Sequence, residues 1–423
     1  MKLFIYNSIV LLLLPFFLVR IVFKSFKDKD YVSNLHHRLG IYKQNKIQNP
    51  IWFHAVSLGE VIASEKIIKK LLESNEIVLS VTTPTGLRQA KKIYNDKVSI
   101  IYAPWDFWFF ISGVFRSYSP KALIIFETEI WPSMISYSKN KNIPVILCNG
   151  RLSNNSLKNY MIFKNFFKKI LNKFELIFVQ TKNHKENFKN LIGSEEIIEI
   201  CGSAKFDIDL KEDLSNHVAK YSFFLASSTH LGEDEIILNV FTKLKESFDD
   251  LRLIIVPRHP ERANLIKSSF SNQNVKAKIL SDTDQINGEN EIVIFNAIGH
   301  LNKLYSIANL AFVGGSMFKE TGGHNIIEPA ANMCPFIFGP YIYNFEDISQ
   351  MFLSENACIQ ISNEDDLYIA AKKILSSSEF SSQLVSNAIS VVKSNKGSVD
   401  KQSSAIIRIL NSRNWNEINN CNH

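Results

Sequence analysis

The sequence predicts an α/β protein with two doubly wound domains behind an apolar N-terminal helix. Three observations carry this. Short apolar runs alternate with helical patterns, the mark of βαβ units. The alternation pauses near Gly202 and restarts beyond the acidic stretch 207–213. Residues 3–23 (LFIYNSIVLLLLPFFLVRIVF) form one apolar run whose single charge is Arg20.

The run from Leu3 to Phe23 has the length of a membrane-spanning helix, about 20 residues. Arg20 lies near its end, where its head can reach the interface. No small-x-small cleavage pattern follows, which favours a retained anchor over a cleaved signal. A helix lying in the interface is the other alternative. Lys24, Lys27, Lys29 and Arg38 come after the run and only Lys2 precedes it, a bias that keeps the bulk of the chain cytoplasmic.

After the anchor, strands are expected at Ile51–His54, Ile77–Val81, Ser99–Tyr102, Ala122–Phe126, Val145–Cys148 and Leu176–Val179, with helices between, such as Glu60–Leu72 and Asn155–Leu171. The stretch 207–213 reads as a linker. The second series is Phe223–Ala226, Leu253–Val256, Ile292–Phe295, Leu310–Val313 and Phe336–Phe338. The tail is helical and fades after Arg413. Two parallel sheets of this kind place a ligand cleft at the C-terminal ends of their strands.

Composition fits 423 residues arranged in two or three domains. At 46% hydrophobic and 21% charged the chain is ordinary globular protein, which excludes intrinsic disorder and collagen-like or disulfide-stapled scaffolds. The five cysteines are scattered with no C-x-x-C, as suits buried thiols in a reducing compartment. Charge is unevenly spread. Residues 1–205 carry 29 Lys and Arg against 15 Asp and Glu, whereas 206–423 carry 19 against 26. The basic half suits an anionic surface, and the apolar N-terminus favours lipid over nucleic acid.

Four loops after strands hold the candidate chemistry. In HAVSLGE (54–60), Glu60 opens a helix; it is either a capping acid or a general base at a cleft mouth. In FETEIWP (126–132), Glu127 and Glu129 follow a buried strand, which a helix start also explains. In NGRLS (149–153), Arg151 either clamps an anion or pairs with a carboxylate. In 313–331 the pairs Gly314–Gly315 and Gly322–Gly323 precede a helix carrying Glu328, a pattern for a phosphate on bare amides with an acid for a ribose diol; plain turn chemistry is the alternative. VPRHPER (256–262) adds two arginines as a second phosphate candidate. There is no Walker A or G-x-G-x-x-G pattern, so neither a P-loop nucleotidase nor a dehydrogenase is favoured. No H-x-x-x-H pair occurs, and neither metal nor cofactor is expected.

These segments together resemble the 3-deoxy-D-manno-octulosonic acid (Kdo) transferases of lipopolysaccharide synthesis. The motifs, in order, are RLG (38–40), HAVSLGE (54–60), TTPTG (82–86), YAPWD (102–106), ETEIWP (127–132), GSAKFD (202–207), STH (228–230), VPRHPER (256–262) and GGHN with Glu328 (322–328). The resemblance implies a GT-B glycosyltransferase: a membrane anchor (1–25), an acceptor-binding Rossmann-like domain (26–206) and a CMP-sugar-binding one (207–423). It implies transfer of Kdo from CMP-Kdo to a lipid A precursor on the cytoplasmic side of the inner membrane, beside anionic lipid, with no nucleic acid partner. By resemblance Glu60 is the proton acceptor, Glu127 and Lys205 stabilise the transition state, and Pro257, Arg258, Asn325, Ile326, Ile327 and Glu328 contact CMP. Ile298, Gly299 and His300 fall where the family sets a short loop against the nucleotide. His300 stands where many relatives carry an acid, a change that matters little to a backbone contact.

The chemistry agrees with these roles. Departure of CMP leaves an oxocarbenium-like centre, which a nearby carboxylate stabilises and a lysine balances at the leaving phosphate. One base without a second nucleophile points to inverting single displacement. The helix at 155–171, with Phe163, Phe166, Phe167, Lys164, Lys168 and Lys169, either faces anionic lipid or is a core helix with a solvated lysine face. The rival functions are another GT-B enzyme using a UDP-sugar, and a non-catalytic membrane-anchored binding protein.

Overall fold

Seven-stranded sheets follow from the buried apolar runs. The computed structural model describes residues 2–43, 47, 49–211 and 221–420, with side chains to Arg413. The chain divides into two compact units, Met1–Asp207 together with Lys396–His423, and Ile208–Asn395. The sequence expectation for the linker falls partly on 212–213, which lie outside the described residues.

In the first unit the strands are β1 (Ile51–His54), β2 (Ile77–Val81), β3 (Ser99–Tyr102), β4 (Ala122–Phe126), β5 (Val145–Gly150), β6 (Leu176–Val179) and β7 (Ile198–Ile200). They form one sheet in the order β3-β2-β1-β4-β5-β6-β7, with parallel pairing throughout. Side chains alternate between two cores, as a period of two requires. Phe53, Leu79 and Ile124 share register and one core; Trp52, Val78 and Leu123 are their neighbours on the other. Both faces are covered, so the strands are continuously apolar.

The second unit repeats the plan with β8 (Ser222–Thr229), β9 (Leu251–Pro257), β10 (Lys278–Leu280), β11 (Ile292–Phe295), β12 (Leu310–Val313), β13 (Phe336–Phe338) and β14 (Ile359–Gln360). The order is β10-β11-β9-β8-β12-β13-β14. The chain switches from one side of its first strand to the other between β1 and β4 in the first sheet and between β8 and β12 in the second, and ligands of doubly wound sheets bind outside the strand ends at that point.

Three expectations change. Residues 396–423 do not belong with the second domain: the helix Ser398–Asn420 packs on the first unit, where Val399, Ala405, Ile406 and Leu410 enter the core of Phe53 and Leu79. The apolar positions of that helix show only that it is buried, not where. The helix expected at Glu60–Leu72 is two, Leu58–Ala63 and Glu65–Leu72. At the break the buried Ser64 hydroxyl donates back to the Val61 carbonyl at 3.2 Å, a local bond that bends helices. Asn155–Leu171 likewise divides into Asn154–Met161 and Lys164–Leu171 around exposed Ile162 and Phe163. The N-terminal helix Leu3–Ser25 is long and apolar enough to cross a membrane. Cys148, Cys334 and Cys358 are buried thiols, pushed up by burial, and Cys201 is half-buried; Cys421 lies outside the described residues.

Candidate active site

In the first unit the unusual side chains stand at the C-terminal ends of β1 and β4, either side of the reversal point. Ser57 caps the helix Leu58–Ala63 through its hydroxyl, which accepts from the Glu60 amide at 3.3 Å. The Glu60 carboxylate returns toward the turn, accepting from the Val56 amide at 2.9 Å and from the Ser57 hydroxyl at 3.0 Å. Glu60 therefore does act as a capping acid. It is also only 8% exposed. Burial, then the negative charges of Glu127 and Glu129, push its carboxyl up to about 8, against the opposing Val56 and Ser57 bonds. An acid in that range binds and releases protons near neutral pH, the requirement for a general base.

Glu127 directly follows β4 with φ of +61°, a left-handed conformation that costs a non-glycine residue about 1–2 kcal/mol. Its amide donates to the Cys148 carbonyl at 2.9 Å, so the neighbouring strand holds the strained turn. Its carboxylate lies 3.8 Å from the Lys205 ammonium. Glu129 accepts from the Trp131 indole at 2.6 Å, and burial raises its carboxyl. Beneath them His54 is fully buried, bonded through Nδ1 to Ser80 at 2.8 Å and set edge-on to Trp131 at 4.7 Å. Burial lowers that imidazole to about 3, so it is a neutral support.

Lys205 sits in the turn Ala204–Phe206. The Ala204 amide donates to Asn149 Oδ1 at 3.0 Å, and the Asn149 amide donates to Gln402 of the C-terminal helix at 2.8 Å. The tail thus fixes the loop after β5 and, through it, the turn carrying Lys205. Sequence reasoning missed Gln402, and a contact across 253 positions leaves no local signal. The Arg151 carbonyl accepts from the Thr128 hydroxyl, tying the β5 loop to that of Glu127 and Glu129.

In the second unit the loops after β8, β9, β11 and β12 share the C-terminal edge of adjacent strands. Glu233, fully buried, binds two of them together. Its carboxylate accepts the amides of His230 at 2.8 Å, Gly315 at 2.7 Å, Ser316 at 2.9 Å and Met317 at 3.0 Å. This departs from the sequence reading of Gly314–Gly315 as bare amides for phosphate: a side chain of the protein occupies the cradle. Gly322 and Gly323 are required by packing, since a Cβ would meet Tyr343 at 2.2 Å and Ile342 at 2.2 Å, both at positive φ. Glu233 was legible only as one of three acids opening a helix, the ordinary dipole pattern.

Across the same reversal point His230 and His324 stack at 5.1 Å, with their Nε2 atoms 2.8 Å apart. Burial and the charges of Arg258 and neighbouring imidazoles lower both, His324 to about 3. Two neutral rings therefore share one proton as donor and acceptor. Exposed Arg258 follows β9 and its charge reaches His324 and Glu328. Glu328 accepts from Asn325 Nδ2 at 3.0 Å, and Asn325 Oδ1 accepts from the Ile327 amide at 3.0 Å. Burial raises the Glu328 carboxyl, with Asn325 and Arg258 opposing. Arg262 is turned inward, pairing with Asp234 and donating to the Thr229 carbonyl at 2.8 Å. Ile298 is 79% exposed, Gly299 has φ of +92°, and the His300 ring lies against Phe295 at 5.5 Å.

Among the described residues no group of three His, Cys, Asp or Glu is placed to hold a metal ion. The sequence has three Asp-x-Asp pairs, 28/30, 207/209 and 282/284, and their acids are engaged by protein groups: Asp28 and Asp30 bind Arg88, Asp207 accepts the Gly397 and Val399 amides at 2.7 Å, and Asp284 pairs with Lys303.

A family model described as 3-deoxy-D-manno-octulosonic-acid transferase (kdotransferase) matches residues 33–208. The 3-deoxy-D-manno-octulosonic acid transferase of Haemophilus influenzae is 31% identical over 413 residues, 94% of this chain and 96% of its own. The chain belongs to the Kdo transferase family. The enzyme of that name from Aquifex aeolicus is 31% identical over 77% of this chain and 86% of its own. Among solved structures, a glycosyltransferase from Rickettsia africae superposes with a TM-score of 0.57 over 87% of this chain and 98% of its own, at 16% identity. That likeness shows the fold, GT-B, and nothing finer. In this chain Glu60, Glu127 and Lys205 stand together in the first unit, and the charge of Arg258 reaches Glu328 in the second.

Proposed function

We propose that this chain transfers Kdo from CMP-Kdo to a lipid A precursor, lipid IVA, by inverting single displacement. The observation that carries the reading is Glu60: a buried carboxylate at the reversal point of the first sheet, raised to about 8 beside two further acids. In this mechanism Glu60 takes the proton of the attacking sugar hydroxyl. Glu127 faces the oxocarbenium-like centre, and its charge strengthens Glu60 as a base. Lys205, its ammonium 3.8 Å from the Glu127 carboxylate, offsets the departing phosphate.

The first unit binds the acceptor and the second binds the nucleotide. Arg258 meets the phosphate beside Pro257, Glu328 accepts from the ribose diol from a position set by Asn325, and the backbone of Ile326, Ile327 and the Ile298–His300 loop lines the base. The chain works at the cytoplasmic face of the inner membrane, held there by its N-terminal helix and by anionic lipid. Family membership supports the donor; the basic first half and the apolar helix support the lipid acceptor. Mass spectrometry after incubation with CMP-Kdo and lipid IVA is the test. A mass increase of one or more Kdo residues is expected; an unchanged acceptor with turnover on a UDP-sugar refutes the donor.

A further inference from the structure

The apolar N-terminal helix is tied to the first unit along one whole face. Leu3, Asn7, Val10, Leu14, Phe17 and Ile21 form its buried and half-buried stripe, repeating every three or four residues. At its start the Tyr6 hydroxyl donates to Asp106 at 2.8 Å, and Asn7 Oδ1 accepts from the Trp108 amide at 3.1 Å and from the Ser133 hydroxyl at 3.0 Å. Asp106 in turn accepts the Ser133 and Met134 amides at 3.0 and 2.7 Å. Further along, Phe17 packs on Trp105 at 6.0 Å, and Ile21 is buried. From Asn7 to Ile21 the helix rises about 21 Å, most of the roughly 30 Å of a hydrocarbon core.

A helix docked over that length cannot cross a bilayer alone. It would carry Asp106 and the Ser133 end of another helix into hydrocarbon, where each uncompensated polar group costs several kcal/mol. Its opposite face carries Ile5, Ile9, Leu12, Phe16, Val19 and Phe23, all exposed. Asn7 and Arg20 aside, both sides of the helix are apolar because one meets protein and the other meets something equally apolar. Asn7 binds the amide of exposed Trp108, which exposed Phe109 follows, and exposed Ile162 and Phe163 lie just before Phe166, which packs on Tyr6 at 5.9 Å. Exposed lysines border these groups: Lys24 in the last turn of the helix, Lys27 and Lys29 past its end, and Lys164, Lys168 and Lys169 beside Phe163. Apolar side chains flanked by lysines match an anionic bilayer surface: acyl chains below, phosphates at the rim.

We infer that the helix Leu3–Ser25 lies in the plane of an anionic phospholipid surface, docked on the first unit, instead of crossing the membrane. This rests on the membrane reading above and replaces its spanning form. The N-terminus is then on the same side as both units.

The test uses the full chain with a peptide epitope ahead of Met1 in inside-out inner-membrane vesicles. Added protease should remove the epitope without detergent; an epitope protected until detergent is added, while the two units are cleaved, overturns the proposal. Protection of the units as well would instead refute the cytoplasmic placement. Asn7→Leu separates the two geometries further. It makes the helix more apolar, yet should lower the melting temperature of the detergent-solubilised chain by about 2–4 °C; no fall overturns docking. For the lipid partner, Lys164→Glu, Lys168→Glu and Lys169→Glu together should reduce flotation with phosphatidylglycerol vesicles at least threefold. Unchanged flotation, or a dimer that such vesicles do not dissociate, refutes the anionic surface.

Discussion

Replacing Glu60 by Gln should abolish transfer and stabilise the protein at alkaline pH. Gln is close in shape to the protonated acid. It can still accept from the Val56 amide, and the Ser57 hydroxyl can turn to receive its NH2 group. Because burial and the charges of Glu127 and Glu129 raise the folded carboxyl from 4.5 to about 8, the folded state binds the proton more tightly than the unfolded chain does. Glu60 therefore contributes its full stability below about pH 4.5, and loses it as pH rises through about 8. At about 1.4 kcal/mol per tenfold change in proton affinity, the loss is a few kcal/mol. Gln has no such loss. The variant should melt below or level with wild type at pH 5 and above it at pH 9. Its transfer rate should fall by about 10²–10⁴, the usual contribution of a general base. The wild-type rate should climb with pH toward about 8, and the variant's should not. CMP-Kdo affinity should change less than about tenfold, since the residues proposed to hold the nucleotide belong to the second unit. Melting curves, initial rates and donor titrations across pH 5–9 give all four readings. A rate within threefold of wild type refutes Glu60 as the base and moves the role to Glu127 or Glu129.

Ile406→Ala, a cavity in the first core made from the tail, should cost about 2–5 kcal/mol and lower the melting temperature of the first unit, while CMP binding to the second persists; loss of CMP binding alone would contradict the division of the chain. Glu233→Ala strands four buried amides and should weaken CMP-Kdo binding at least tenfold by calorimetry, with Glu233→Gln in between. Unaltered affinity in both would remove Glu233 from the nucleotide loops. Lys205→Met should lower the maximal rate more than donor affinity, because its partner Glu127 then lacks the neighbouring charge; an effect on affinity alone would place Lys205 in binding only. Activity should survive EDTA if, as proposed, side chains of the protein offset the leaving phosphate, and a strict magnesium requirement would overturn that assignment.

The central strands were readable because both faces of each are covered by helices, so β4, β11, β12 and β13 appear as unbroken apolar runs and β1 and β2 as runs with one polar residue each, His54 and Ser80. β7, β10 and β14 were not expected, and all three are at or end the sheet edges. They are two or three residues long and partly exposed, and carry Glu199, Lys278 and Gln360, so neither length nor apolarity marks them. Loop chemistry was legible where residue types are informative by themselves: Glu60, Glu127 and Arg258 follow strands that the pattern located and Glu328 a glycine-rich turn, whereas Lys205 came only from the family resemblance and follows β7. What tertiary structure decided is pairing over distance. Glu60 becomes a candidate base because Glu127 and Glu129 come near it and water leaves. The glycine turn holds Glu233 in place of a ligand because two loops meet at one reversal point. The C-terminal helix joins the first unit through Gln402 and Ile406, and the N-terminal helix docks through Tyr6 and Asn7. Hydropathy measures only how apolar a segment is, and lipid and protein core are equally apolar to it; which of them covers a face is settled by the polar atoms that the fold brings alongside.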